Sequence, residues 1–176
     1  MLKSKHASGK TLLSYEYDKN DNIKNIKDIT GKSTRYVYNP ANRVKEILDN
    51  QNNPLAAYNY DQNSRIKEIN YGNGSATNYT YDEDQNTASL ITKTSKGETL
   101  VDYHYKHDLN GNPLQKVGAK HQTYYTYDSL NRLTNAKYDG REERFTYDLV
   151  GNRLTKTTNT GIEKYIYNVK NQLMQI

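Results

Sequence analysis

Tyr125-Thr126-Tyr127-Asp128-Ser129-Leu130-Asn131-Arg132-Leu133 reads as a strand, a turn and the opening of a return strand. Tyr125 and Tyr127 are two residues apart, so both rings fall on one face of a period-2 element. Asp128 suits the first position of a type I turn. Asn131, three residues on, tolerates the positive φ that such a turn requires at its end. Leu133 then opens the second strand. The predicted unit is a hairpin with a three-residue loop and a bulge at the left-handed residue.

The same grammar recurs along the chain. Phe145-Thr146-Tyr147-Asp148-Leu149-Val150-Gly151-Asn152-Arg153-Leu154 is a second strong copy. Tyr36 and Tyr38, followed by Asn39-Pro40-Ala41-Asn42-Arg43, give a third; Tyr58, Tyr60, Asp61 and Arg65 give a fourth. Weaker copies begin at Tyr15-x-Tyr17-Asp18 and at Tyr165-x-Tyr167-Asn168. Tyr79-x-Tyr81-Asp82 ends in Gln85-Asn86-Thr87, and Tyr103-x-Tyr105 has two extra residues before Asp108 and Gly111. The second aromatic thus recurs eight times, at steps of 20 to 24 residues. Self-similarity at this period marks a repeat array. Residues 1–14 are expected to be a lead-in segment, and 15–176 one eight-copy array.

The return strands open at residues such as Val44, Ile66, Leu133, Leu154 and Leu173. They end in turns at Thr30-Gly31, Gly72-Asn73-Gly74, Lys96-Gly97, Asp139-Gly140 and Thr160-Gly161. No stretch shows helical periodicity with caps. The expected fold is all-β: tandem antiparallel hairpins of about 21 residues, giving about sixteen strands. An open twisted sheet of that width is expected to curl. The return strands carry apolar residues three apart: Ile23/Ile26, Val44/Ile47, Ile66/Ile69, Leu114/Val117, Leu133/Ala136 and Leu173/Ile176. Either a bulge re-registers these strands or both faces carry apolar cover.

Composition agrees with a thin wall better than with a solid core. Leu, Ile, Val and Phe together number 31 of 176 residues, whereas Tyr alone numbers 18 and Asn 22. Tyrosine suits a wall because its ring packs across strands while its hydroxyl can stay in water. The chain has no Cys, so disulfides and thiol chemistry are excluded. No apolar run approaches the ~18 residues of a membrane-spanning helix, and no membrane insertion is expected. The first twenty residues lack the apolar centre of a secretion signal.

The pattern Tyr-x-Tyr-Asp-x-x-(Gly)-Asn-Arg-Leu resembles the YD repeat of the Rhs/YD-repeat family. That family takes in bacterial Rhs proteins, wall-associated proteins, insecticidal toxin-complex subunits and teneurins. The resemblance implies a β-sheet spiralling into a hollow shell that, in bacterial members, sequesters a toxic domain. It implies a non-catalytic scaffold, secreted or on the bacterial surface. Its partners would be further repeats or plug domains of a parent chain and an enclosed effector. This sequence lacks the family's Asp-Pro cleavage segment and has fewer repeats than a whole shell. It is therefore expected to be a wall segment or a short array. Its unpaired edge strands could drive self-association.

Other chemistry finds little support. The recurring Asp residues have a structural reason to stand at turns, since their side chains bond turn backbone. Asp18-x-Asn20-x-Asn22 and Asp82-x-Asp84-x-Asn86 imitate a calcium loop. Ile23 and Thr87 stand where it needs Gly, and Ile29 and Lys93 where it needs Glu. His6, His104, His107 and His121 suggest no closed metal site. No nucleophile or phosphate-loop motif occurs, so no catalytic residue, metal or cofactor is expected. The net charge of +5 is spread evenly, and nucleic-acid binding is not expected. The alternative function is a cell-wall or carbohydrate-binding adhesion module with exposed Tyr. Such sites favour Trp, and Trp is absent.

Overall fold

The computed structural model describes residues 3–7 and 10–176. Residues 1, 2, 8 and 9 of the lead-in segment lie outside the described residues. The main sheet has sixteen strands in chain order. Its first half comprises β1 (Ser4–Ala7), β2 (Lys10–Tyr17), β3 (Ile23–Asp28), β4 (Ser33–Tyr38), β5 (Val44–Leu48), β6 (Pro54–Tyr60), β7 (Ile66–Tyr71) and β8 (Ala76–Tyr81). Its second half comprises β9 (Thr87–Lys93), β10 (Thr99–His107), β11 (Pro113–Gly118), β12 (Gln122–Tyr127), β13 (Leu133–Tyr138), β14 (Arg141–Tyr147), β15 (Arg153–Thr158) and β16 (Gly161–Lys164). A separate two-stranded sheet pairs β17 (Ile166–Tyr167) with β18 (Leu173–Gln175). The eighth hairpin thus leaves the main ladder at Tyr165. The lead-in supplies β1 and the first half of β2, so its expected end at residue 14 falls inside a strand.

The chain divides into two compact units, residues 1–79 with 91–100, and residues 80–90 with 101–176. In the first unit β2 to β7 form three hairpins; in the second β10 to β15 form three more. No helix is found among the described residues.

The spacing of three is a bulge. Tyr17 lies opposite Ile23, Glu16 opposite Asn25 and Tyr15 opposite Ile26. Lys24 is therefore the extra residue, and both isoleucines join the tyrosine face. The same offset sets Tyr38 against Val44 and Tyr36 against Ile47, Tyr60 against Ile66 and Tyr58 against Ile69, and Tyr127 against Leu133 and Tyr125 against Ala136. The three-residue loop, closed by its left-handed third residue, sets Tyr17 against Ile23; the bulge lies not at that left-handed residue, where the sequence reading puts it, but in the return strand at Lys24.

Two hairpins depart from the expected alignment. In β10 His107, not Tyr105, faces the first residue of the return strand, Pro113; Tyr105 faces Lys116. The aromatic pair is therefore Tyr105 and His107, with Tyr103 one place further back. Leu114 takes the bulge place and is exposed. In β14 and β15 Tyr147 faces Arg153 and Phe145 faces Lys156, which leaves Leu154 in the bulge place, also exposed. The optional Gly of the sequence pattern causes this shift. Gly151 fills the same left-handed position as Asn131, so Asn152 answers to Arg132 and Arg153 to Leu133. At the last return turn Gly161 is the first residue of β16 and the turn is Asn159-Thr160.

The core is thin. Leu48, Ala56, Ile69, Ala136 and Tyr165 are buried apolar or aromatic residues, yet no described side chain falls below 2% exposure. The strands' tyrosines are mostly half-buried. Stability must come mainly from the ladder, the turns and cross-repeat polar contacts rather than from a sealed interior.

Candidate functional site

Each turn is built by its first side chain. Asp18 Oδ1 accepts from the main-chain N–H of Asn20 and of Asn22, both at 2.9 Å. The Asp21 N–H returns to the Asp18 carbonyl, and Asp21 has φ 65°. Asn39, Asp61, Asp108, Asp128, Asp148 and Asn168 head the same arrangement. Asp82 also heads a turn, receiving the Asn86 N–H at 2.8 Å. The left-handed residues include Asn42, Asn131, Gly111 and Gly151. Asp28, Asp49 and Thr94 build three return turns in the same way.

The carboxylates are committed to this work. The Asn22 amide, outweighing partial burial and helped by the N–H groups of Asn22 and Asn20, holds Asp18 below the usual carboxylate range. The Asn112 amide does the same for Asp108, and the Arg132 N–H leads for Asp128.

The residue four places after the turn head is usually Asn or Arg, and each makes a different link. Asn22 and Asn112 bond their own turn head's carboxylate and also the left-handed Asn of the next turn, Asn42 and Asn131. Arg65 and Arg132 pair with Asp61 and Asp128 through 2.7 Å bonds. Arg132 also donates to the Asp148 carbonyl at 2.9 Å, and its guanidinium stands 4.8 Å from the Tyr147 ring centre. Arg43 lies 4.2 Å over Tyr60, and Arg153 4.2 Å over Tyr165. Cation–π contacts of this kind add roughly 0.5–1 kcal/mol each at exposed sites.

The second tyrosine of a hairpin makes the contact that sequence reasoning missed. The hydroxyls of Tyr38, Tyr60, Tyr127 and Tyr147 donate to the carbonyls of Ile23, Val44, Pro113 and Leu133 at 2.6–2.9 Å. Each acceptor is the bulge-opening residue of the preceding hairpin. The hydroxyl does not stay in water as expected; it latches one repeat to the next. Burial pushes the phenols of Tyr38, Tyr60 and Tyr127 up. A signal was present in the sequence: the first aromatic position admits Phe145, whereas no Phe occupies the second.

Tyr15, Tyr36, Tyr58 and Tyr125 line the same face one step inward, opposite Ile26, Ile47, Ile69 and Ala136. Tyr17 faces Ile23, while Tyr79 and Tyr81 lie on β8 and Tyr167 faces Leu173. His104 and His107 fall on opposite faces of β10. Among the described residues no group of three His, Asp or Glu side chains is placed to hold a metal ion. One open cleft of about 600 Å³ is lined by Leu55, Tyr71, Asn73, Ser75, Thr77 and Thr92, among others. At its edge Gly72 lets two strands meet closely: a Cβ there would come within 2.1 Å of the Pro54 carbonyl oxygen.

Comparison with known proteins agrees with this geometry. A family model described as the RHS Repeat matches residues 17–53. That stretch runs from the first turn through the second complete hairpin. The fold is similar to the Photorhabdus luminescens Tc holotoxin pore, with TM-score 0.75 and 18% identity over 93% of this chain and 10% of that one. It is similar to TcdB2-TccC3-Cdc42, with TM-score 0.77 and 17% identity, and to TcdB2-TccC3, with TM-score 0.74 and 18% identity; the shares are again 93% and 10%. The chain spans about a tenth of the length of these proteins. No curated protein matches it by sequence.

Proposed function

We propose that the chain is a member of the Rhs/YD-repeat family, and that this β-sheet array serves as a wall segment of a YD-repeat shell. In this reading the wall encloses or presents a toxin, effector or surface domain, and its work is mechanical and non-catalytic. Further repeats or plug domains of the parent chain continue the wall, and the place of action is outside the cell or on its surface. One observation carries the reading. Polar links run within the sheet from one hairpin to its neighbour, at Tyr38, Tyr60, Tyr127 and Tyr147. A wall needs such in-plane cohesion, because one face must remain available to whatever it encloses.

Small-angle X-ray scattering on the purified chain tests this. A broad, curved plate fits a wall segment, and a narrow straight rod contradicts it. A second reading, glycan binding, draws on the cleft beside Tyr71. Its partly exposed ring, with Leu55 and Asn73 beside it, offers a stacking platform, while the Ser75, Thr77 and Thr92 hydroxyls are bonded within the chain and brace its floor. Elsewhere, the latched hydroxyls and the Arg groups over Tyr60 and Tyr147 leave less of the tyrosine face free for sugars.

A further inference from the structure

The tips of the turns differ between the two units. In the first unit they carry Lys19-Asn20, Pro40-Ala41 and Gln62-Asn63. In the second, four successive turns headed by Asp108, Asp128, Asp148 and Asn168 carry Leu109, Leu130, Leu149-Val150 and Val169. Leu109, Leu149 and Val169 are 97%, 102% and 101% exposed, so these side chains bury nothing within the chain. The turn does not require them, since its middle positions accept most residues. What sets them apart from apolar residues scattered singly is their recurrence at four successive turns.

The topology brings the tips together. Each of these turns joins the first to the second strand of its hairpin, so all leave at one edge. Asn110 and Asn112 donate to Asn131 Oδ1, and Asn152 donates to Asn171 Oδ1, which ties neighbouring turns side by side. With two strands per repeat, the tips recur about every 10 Å. The row ends at the preceding turn, where Glu83 and Asp84 occupy the tip.

We propose that this edge is a peripheral contact for an anionic lipid bilayer, with the four tips resting in the headgroup layer and no segment crossing it. Three observations favour a bilayer. The apolar groups protrude singly or in pairs, and a fluid surface accepts protrusions without a matching groove. The turn backbone is already satisfied: the Leu130 and Val150 N–H groups bond Asp128 and Asp148, so insertion strands few polar groups. The charge is complementary. Asp108, Asp128 and Asp148 spend their carboxylates inside their own turns, while Lys106 and Lys170 stand exposed along the strip. A second copy of the chain would bring those cations against each other.

The test is flotation of the full chain with vesicles of phosphatidylcholine containing a minority of phosphatidylserine. The comparison is the triple variant L109S/L149S/V169S, whose serines keep the turn chemistry. The wild type is expected to float, more weakly in high salt. The variant should lose about tenfold in binding with its thermal midpoint unchanged, as for loss of an interfacial apolar anchor. Lys170→Glu should weaken binding further towards anionic vesicles. Absence of flotation by the wild type overturns the proposal, as does equal flotation by the triple variant. A dimer in light scattering that the triple variant dissolves, without flotation, assigns the row to a second copy and also overturns it.

Discussion

The Tyr127 hydroxyl donates to the carbonyl of Pro113 at 2.9 Å, joining the sixth hairpin to the fifth. Pro113 is the bulge-opening residue of its strand, and the bulge takes its neighbour Leu114 out of the ladder. The tyrosine thus bonds the main chain at the point where the neighbouring strand bulges. The loop aligns Tyr127 with the first residue of its own return strand, and the residue that opens the preceding bulge presents a carbonyl for the phenol to reach. Repetition of this pairing at Tyr38, Tyr60 and Tyr147 turns separate hairpins into a coupled sheet.

Tyr127→Phe should remove the bond and leave a part-buried carbonyl without its partner. The expected loss is about 1–2 kcal/mol in denaturant unfolding. Tyr125→Phe, at the position that Phe145 fills in the next hairpin, should cost under about 0.5 kcal/mol. Equal losses for the two variants would show that ring packing, not the hydroxyl, couples the hairpins.

Asp148 holds its turn by accepting from the Val150 and Asn152 N–H groups and from the Asn152 amide. Asp148→Ala should cost about 1–2 kcal/mol, in line with lost caps of similar geometry. Asp148→Asn should be milder, because Asn39 and Asn168 already head turns here with an amide oxygen. A thermal melt of the two variants beside the wild type decides the point. An Asn variant as unstable as the Ala variant would mean that the charge, not the acceptor, holds the turn.

Much of this was legible in the residues. The turn heads announce themselves because Asp and Asn are the side chains that close such loops, and Asn or Gly three places later marks the left-handed residue. Tyr-x-Tyr gives the face by alternation. The bulge was less legible: Ile23 and Ile26 fit either a re-registered strand or two covered faces, and only the pairing of Tyr15 with Ile26, beside that of Tyr17 with Ile23, separates these. The fifth hairpin misleads because alignment on tyrosine chooses Tyr105, whereas loop length and register put His107 in that place. Leu154 misleads for a related reason: adding Gly151 keeps the motif's letters but moves each one place along the return strand. The latch could not be read from spacing, since its acceptor is a main-chain carbonyl, which every residue has.

Acid should unfold the array through its turns. Asp18, Asp49, Asp108 and Asp128 all lie below the ordinary value of 3.8 in the folded chain. The fold thus favours their ionised form. Their contribution is complete above the unfolded value and is lost as pH falls through the lower folded value. Thermal midpoints should be flat from neutral pH to about pH 5 and fall steeply below about pH 4. The raised phenols of Tyr38, Tyr60 and Tyr127 act at the other end. The fold favours their neutral form, so that contribution is full below 10.0 and is lost as pH rises through the higher folded value. A midpoint that stays constant down to pH 2 would contradict the turn-based account.

His107 marks a junction without the latch. It occupies the latching position of its hairpin, opposite Pro113, but an imidazole is shorter than a phenol. Its ring stacks on Tyr105, and its Nδ1 is buried without a hydrogen bond, 3.5 Å from the Asp82 carboxylate. By the pattern of the other hairpins, the missing acceptor is the carbonyl of Thr87, which opens β9. His107→Tyr should supply the hydroxyl and raise stability by about 1 kcal/mol, with an unchanged denaturant slope. Hydrogen exchange along β10 and β11 should slow in parallel. A neutral or destabilising result would show that this junction is packed around the imidazole and has no vacancy for the longer ring.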